Sequence, residues 1–285
     1  MSVNFKKVFF TYSPKSPFEY EALKDINLEL ESGKFIALVG KTGSGKSTLA
    51  QHINSLIHPT SGVVDIDGFI NSAVKKERTK DIKGLRKHVG LVFQFPEYQL
   101  FEETVEKDVA FGPKNVGLKE AEAIEKAHWA LEKVGLGKSF FERSPFELSG
   151  GEKRKVAIAG ILAMEPKVLV VDEPTAGLDP AAAKDTMALF KKINEEGATV
   201  ILVTHDMDLV ASYCDEVVVM EGGKVEAQCA PSKLFGRDLS EYSLQNPHIF
   251  DFALRLKKRG FDLDMSSIRT TEDLAKAIAK RSKNG

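Results

Sequence analysis

The chain has 285 residues, enough for one large domain or two smaller ones, and its 42% hydrophobic and 28% charged content is that of an ordinary globular protein. The formal net charge of −1 gives no argument for a nucleic-acid footprint. No apolar run approaches the roughly 20 residues that span a bilayer, and the pattern of the N-terminal residues does not predict a signal peptide. We therefore expect a soluble chain, or one bound to a membrane only through a partner. The two cysteines, Cys214 and Cys229, have no metal or redox spacing and fit a reducing, cytosolic setting.

Alternating strands are predicted at the start of the chain. Residues 3–12 alternate, and residues 23–30 place Ile26, Leu28 and Leu30 on one face. Two Ser-Pro pairs break the chain between these strands. Together with a glycine-bounded strand at 62–68, they indicate an antiparallel β-rich section.

A phosphate-binding loop is predicted where the chain reads GKTGSGKST. It follows a buried strand at 35–39 and precedes a helix at 49–56, which is the context that such a loop requires. Its glycines let backbone N–H groups point at one anion, and the helix N-terminus adds its positive end. A Gly/Ser-rich turn that matches by chance would not need this context. The candidate residues are Gly40, Lys41, Thr42, Gly43, Ser44, Gly45, Lys46, Ser47 and Thr48.

Lys46 can reach the β- and γ-phosphates of a nucleotide, and the Ser47 hydroxyl can bind Mg²⁺. A second element is needed beside the metal, and the apolar strand 167–171 supplies it by ending at Asp172. Glu173, one residue further, can take a proton from an attacking water or orient it. A helix cap is the alternative for paired acids, but Pro174 disfavours it by excluding Glu173 from the helical region.

Two polar segments allow more than one interpretation. The basic residues between 71 and 88 are typical of a solvated loop and helix face. After a strand at 89–93, residues 93–113 mix aromatic and acidic side chains. That mixture suits a partner surface if it is exposed. A core helix with one solvent-exposed face explains it equally well.

The other elements are predicted from periodicity and capping signals. His128 and Trp129, within the first of the helices below, are interpreted as packing and surface residues. The elements are helices at 119–134, 149–164 and 180–196, the last with Asp179 as N-cap, a strand at 198–203, a hairpin over 216–227 and helices at 247–258 and 271–280.

These motifs resemble those of ATP-binding cassette ATPases over about residues 1–230. LSGGEKRK followed by VLVVDEPTAGLD is similar to the family's signature, Walker B and D-loop series. Gln94 matches the Q-loop, His205 the switch histidine, and Tyr12 the aromatic residue that stacks on adenine. Glu152 stands where the family often has Gln. Ser149, Gly150 and Gly151 nevertheless retain the phosphate-facing backbone.

The resemblance implies an α/β P-loop NTPase with a RecA-like mixed sheet core, an antiparallel β subdomain, an α-helical signature subdomain at about 95–165, and a small α-helical C-terminal extension at 231–285. It implies head-to-tail pairs with ATP and Mg²⁺ between a phosphate loop and a partner's signature. The assigned roles are catalysis for Glu173, His205 and Gln94, metal binding for Ser47, Gln94 and Asp172, and nucleotide binding for Tyr12, the loop 40–48, Ser149, Gly150, Gly151, Glu152 and Asp179.

A finer resemblance concerns VFQFPEYQLFEETVEKDVAFGPKN and the residues after Pro231. Both are similar to ATPase subunits of energy-coupling-factor vitamin importers. Such importers contain two paired ATPase subunits, and the quoted segment is similar to the second of them, the A-prime type. The implied partners are a homologous ATPase, a transmembrane T component and substrate-binding S components, at the cytoplasmic face of a bacterial membrane. Related cobalt and nickel importers carry similar ATPases and remain the alternative.

Three other classes are disfavoured. Soluble cassette proteins of DNA repair or translation usually have two cassettes or a coiled-coil insertion, and neither is present. The LSGGE signature argues against a P-loop kinase or a GTPase. A non-catalytic scaffold is disfavoured because Lys46, Asp172, Glu173 and His205 are all retained.

Overall fold

The computed structural model describes residues 2–235, 239–242 and 244–282 and has an α/β fold, as predicted. The strands are β1 (Ser2–Tyr12), β2 (Tyr20–Glu31), β3 (Phe35–Val39), β4 (Ser61–Ile66), β5 (Phe69–Ser72), β6 (Val89–Val92), β7 (Val168–Asp172), β8 (Thr199–Val203), β9 (Glu216–Glu221) and β10 (Lys224–Cys229). The helices are α1 (Lys46–Ile53), α2 (Ile82–His88), α3 (Val105–Asn115), α4 (Glu120–Lys133), α5 (Gly150–Leu162), α6 (Pro180–Glu195), α7 (Met207–Tyr213), α8 (Pro231–Leu234), α9 (His248–Lys258) and α10 (Thr271–Ser282).

The first sheet is antiparallel and has the strand order β2-β1-β4-β5. The β1–β2 ladder contains register shifts. Lys7 and Asp25, in its two strands, both have φ of 49°, the left-handed backbone that accompanies some bulges. This confirms the predicted antiparallel section, although β5 was not predicted as a separate strand.

The second sheet has the order β10-β9-β3-β8-β7-β6 and is parallel except at the β9–β10 hairpin. Its central strands are buried on both faces, which is why they read as continuous apolar runs. In β3, Phe35, Ala37 and Val39 join the core beneath the helical section. Ile36 and Leu38 join the core shared with the first sheet.

Helices α3, α4 and α5 form the helical section and pack on one another. Thr104 caps α3 by accepting a hydrogen bond from the Lys107 amide. The two interpretations of residues 93–113 both hold in part. Val105 and Val109 are buried in the core, whereas Tyr98 is 85% and Phe101 55% exposed.

The C-terminal helices pack partly on the main core and partly on one another. Phe235 and Phe250 belong to the main core, with ring centroids 5.7 Å apart. Ala253, Leu263, Ile268 and Leu274 form a small core of their own. The extension therefore begins as part of the ATPase core and ends as a separate cluster. Within the described residues, no helix is long and apolar enough to cross a membrane.

Candidate functional site: a phosphate-binding cleft

The predicted phosphate loop connects β3 to α1, which begins at Lys46, within the loop sequence itself. Gly40 has φ of 147°, and a Cβ atom there would lie 2.1 Å from the Met220 carbonyl oxygen. Gly45, the N-cap of α1, has φ of 102°. A side chain at either position would be strained or would collide with backbone, so these glycines are dictated by the fold of the loop.

The Lys46 ammonium lies inside the loop. Its Nζ donates to the carbonyl oxygens of Gly40, at 2.7 Å, and Lys41, at 2.9 Å. Burial lowers the pKa of Lys46, and the nearby Glu173 and Asp172 carboxylates oppose that shift. The two carbonyls that accept from this cation are neutral, so an anion can replace them as its partners.

Four parallel strands end at the same edge of the second sheet, where ligands of open α/β sheets bind. The loop follows β3, Gln94 follows β6, Asp172 ends β7, and His205 follows β8. Their side chains line one cleft of about 370 Å³ together with Lys46. Residues distant in sequence thus line one cleft.

Glu173 and His205 are in direct contact. His205 Nδ1 lies 2.7 Å from Glu173 Oε1, so the ring donates through Nδ1–H to a carboxylate. The Thr204 hydroxyl donates to Glu173 Oε2 at 3.4 Å. Glu173 has φ of 46°, so the residue before Pro174 does lie outside the right-handed helical region, but in the left-handed region instead of the extended one that proline favours. The carboxylate is held from two sides.

Asp172 and Ser47 present the oxygen donors expected of a magnesium site. Both side chains line the same cleft, and the Ser47 hydroxyl acts to lower the pKa of the Asp172 carboxyl group. Burial raises the pKa of Asp172, and the Ser47 hydrogen bond and Lys46 offset this only in part. A partly desolvated carboxylate beside a hydroxyl is a donor set that fits a hard cation. Among the described residues, no cluster of three His, Cys, Asp or Glu side chains competes with it.

Tyr12, predicted to stack on adenine, lies beside the first turn of α1. Its hydroxyl is 3.1 Å from Thr48 Oγ1, and its ring packs edge-on against Phe10, with centroids 4.7 Å apart. Phe10 in turn meets the ring of the buried His52, with centroids 5.0 Å apart. This network fixes the strand that carries Tyr12 against the helix that follows the loop.

The signature residues line a different cleft, of about 570 Å³, together with side chains of α6. Ser149 caps α5, and the Glu152 carboxylate accepts from both its amide, at 2.8 Å, and its hydroxyl, at 2.7 Å. That hydroxyl contact is the main reason why the pKa of Glu152 is lowered. Gly150 and Gly151 have open space on their Cα side. Asp179 caps α6 through the amides of Ala181 and Ala182. Within one chain these groups therefore do not join the cleft around Lys46.

Arg154 was not singled out from the sequence. It is 4% exposed and binds both Glu97 oxygens at 3.0 Å. It also donates to the carbonyl of Ala176 at 2.8 Å. Arg154 thereby joins the signature helix to the segment after Gln94 and to the turn after Glu173. In the sequence Arg154 stands between Lys153 and Lys155, so nothing local distinguished it from an ordinary surface cation.

Comparison with known proteins places these features in a family. The ABC transporter family model matches residues 23–176. A protein of Spiroplasma kunkelii named energy-coupling factor transporter ATP-binding protein EcfA2 is 52% identical, covering 98% of this chain and 92% of that protein. The protein of the same name from Enterococcus faecalis is 49% identical over 99% and 97% of the two chains.

Solved structures of ABC ATPases are also similar to this chain. CbiO1 of Clostridium perfringens, described as part of the ABC transporter complex CbiONQ, has a TM-score of 0.73 and 38% identity, covering 90% of this chain and 96% of that one. The cassette MJ0796, solved as a dimer in a post-hydrolysis state with ADP and Pi, has a TM-score of 0.70 and 32% identity, covering 80% and 98%. The chain belongs to the ABC transporter family, among the ATP-binding proteins of energy-coupling-factor transporters.

Proposed function

We propose that this chain is the A-prime ATPase subunit of a bacterial importer and that it pairs head-to-tail with a homologous ATPase. The pair drives a membrane T component, which serves interchangeable S components for vitamins or other micronutrients. ATP binding and hydrolysis coupled to transport are the activity of its family. The observation that carries the assignment of catalytic residues is the contact between Glu173 and His205 in the cleft that contains Lys46.

In this proposal each side chain has one task. Lys46 exchanges its loop carbonyls for the phosphates of ATP. Ser47, Asp172 and Gln94 would hold Mg²⁺, which when bound neutralises phosphate charge. Glu173 accepts the proton of the attacking water, and His205 keeps the carboxylate oriented through its 2.7 Å hydrogen bond. Tyr12 stacks on the base.

The partner subunit's nucleotide is served by the signature. The N-terminus of α5 directs the amides of Gly150 and Gly151 outwards, where the helix dipole favours a phosphate. Placement of Ser149, Glu152 and Asp179 away from the Lys46 cleft supports sites shared between two chains. The proposed division is an ATPase domain at 1–230, with its helical subdomain at 95–165, and the extension at 231–285.

The membrane partner is proposed to dock on the exposed residues after Gln94. Several acids of that segment are already engaged, since Glu97 pairs with Arg154, Glu106 with His128, and Asp108 caps the amides of Phe101 and Glu102. Glu103 pairs with Lys107 at 3.1 Å on the surface, and Glu102 follows the exposed Phe101 directly in the chain. An incoming helix that carries arginines would suit this surface, and the docking places the subunit at the cytoplasmic face of the membrane.

Substitution of Glu173 tests the catalytic assignment. Glu173→Gln keeps the shape of the side chain but removes the base, so ATP should still bind while turnover at this subunit's own loop falls on the order of 10² to 10⁴-fold. ATPase activity is measured in the assembled complex with the change in both ATPase subunits. Near wild-type hydrolysis would contradict the assignment. The similarity to CbiO1 favours a cobalt or nickel importer as the second candidate, and identifying the co-purified membrane chains separates the two.

A further inference from the structure

The hairpin formed by β1 and β2 brings two tyrosines together. Tyr12 and Tyr20 are directly opposite one another in the antiparallel ladder, so their side chains project from the same face. Both hydroxyls reach the phosphate-binding segment. Tyr12 contacts Thr48 in α1, whereas Tyr20 donates to the carbonyl oxygen of Gly43 at 2.9 Å. Tyr20 also lines the Lys46 cleft, and no role has been given to it above.

The hydrogen bond from Tyr20 fixes one peptide unit of the loop. The Gly43 carbonyl accepts from Tyr20, and the amide of the same peptide, that of Ser44, donates to the Lys41 carbonyl at 3.1 Å. Gly43 has φ of 80° and open space around its Cα. Because glycine has no side chain and nothing packs around this Cα, neither sterics nor packing holds Gly43 in this conformation. The two hydrogen bonds therefore set the orientation of this peptide.

Folding alone does not account for Tyr20. The side chain is 52% exposed and lies outside the hydrophobic cores, so a hydrogen bond there contributes little to stability. Lys46 now donates to Gly40 and Lys41, and it must leave those carbonyls to reach a phosphate. The hydrogen bond from Tyr20 to Gly43 can persist through that exchange. It would hold the Gly43–Ser44 peptide in its orientation when the Lys46 ammonium moves to a phosphate.

We propose that Tyr20 is a positioning residue for the phosphates of the nucleotide, acting through the Gly43–Ser44 peptide. The inference rests on the proposed nucleotide site and adds a division of work within the tyrosine pair. Tyr12 acts on the base, and Tyr20 sets the loop that receives the phosphates. The hydroxyl of Tyr20, more than its ring, carries this role.

The test compares two ligands on the full-length chain. Affinity is measured for Mg²⁺–ATP by direct titration and for Mg²⁺–tripolyphosphate by competition. Tyr20→Phe removes the hydroxyl alone and should weaken both ligands by the same factor, roughly two- to tenfold, with an unchanged unfolding temperature in the absence of ligand. Tyr12→Ala should weaken ATP only. Phe18→Ala, at a neighbouring position that is 84% exposed, is the control and should change neither affinity.

Two results would overturn the inference. Wild-type affinity of Tyr20→Phe for both ligands would show that the hydroxyl does not position the loop. A loss for ATP with tripolyphosphate unaffected would make Tyr20 a contact of the base instead. The proposed site itself fails in a different way, namely if the wild-type chain binds neither ligand.

Discussion

His52, buried behind the phosphate loop, makes the stability of the fold depend on pH. Its side chain is fully buried, and Nδ1 lies 2.7 Å from the Thr48 carbonyl oxygen. A carbonyl only accepts, so Nδ1 carries the proton and Nε2 is the bare nitrogen. Among the described residues Nε2 has no hydrogen-bond partner. Burial, aided by the charge of His58 and opposed by the Thr48 hydrogen bond, lowers the pKa of His52 to about 4.

The direction of the effect follows from proton binding. Below pH 6.5 the unfolded chain gains a proton at this histidine that the folded chain does not bind until about pH 4. Stability therefore falls as the pH falls through this window. With pKa values of about 6.5 and about 4, this side chain makes the free energy of unfolding about 2 kcal/mol smaller at pH 5 than at pH 7.

His52→Phe keeps a ring in the space but cannot be protonated. We expect the wild-type protein to lose about 2 kcal/mol more stability than the variant between pH 7 and pH 5, measured by urea unfolding at both values. Ile53→Val is the control, because it removes a methyl group from the neighbouring buried position and should lower stability equally at both pH values. Equal pH-dependent losses in the wild-type protein and His52→Phe would refute the reasoning.

Three further changes probe the site. Lys46→Ala should weaken Mg²⁺–ATP binding roughly tenfold or more, because a charge-assisted contact with ground-state phosphates is lost; unchanged affinity in a titration would remove the loop from the binding site. Reversing Glu102 and Glu103 to Lys should reduce assembly with the membrane subunit and abolish uptake, while ATP binding by the isolated subunit is unaffected. Normal assembly and uptake would show that this segment before α3 is only a solvated loop. Glu152→Gln keeps an oxygen for the Ser149 cap but removes a negative charge that would repel a phosphate at the N-terminus of α5. ATP-driven dimerisation, measured by light scattering, should therefore strengthen roughly two- to fivefold. Weaker or unchanged dimerisation would show that the carboxylate does not oppose the phosphate.

Much of the site could be predicted because its signals are local. The apolar runs of β3, β7 and β8 and the glycine pattern of the loop each specify a strand end or a backbone conformation without reference to distant residues. The parallel order of these strands then brings Lys46, Glu173 and His205 to one edge.

The contacts that were missed depend on register and packing. Tyr20 meets Gly43 only because bulges in the β1–β2 ladder place it opposite Tyr12, and alternation along a strand does not reveal where a bulge falls. Arg154 pairs with Glu97 across 57 positions of sequence, and nothing local in either segment signals that contact. Helix α7 was not predicted, since its seven residues are too few to show helical periodicity.

The backbone of Glu173 bears on how this chain would respond to artificial selection. A left-handed conformation at a residue with a long side chain costs about 1 kcal/mol, and glycine would relieve that cost. Fold and activity therefore make opposite demands at this position. A library screened only for soluble yield should drift towards glycine or asparagine here, whereas one screened for uptake should retain the acid. Enrichment at this codon would thus report which of the two properties a screen had rewarded.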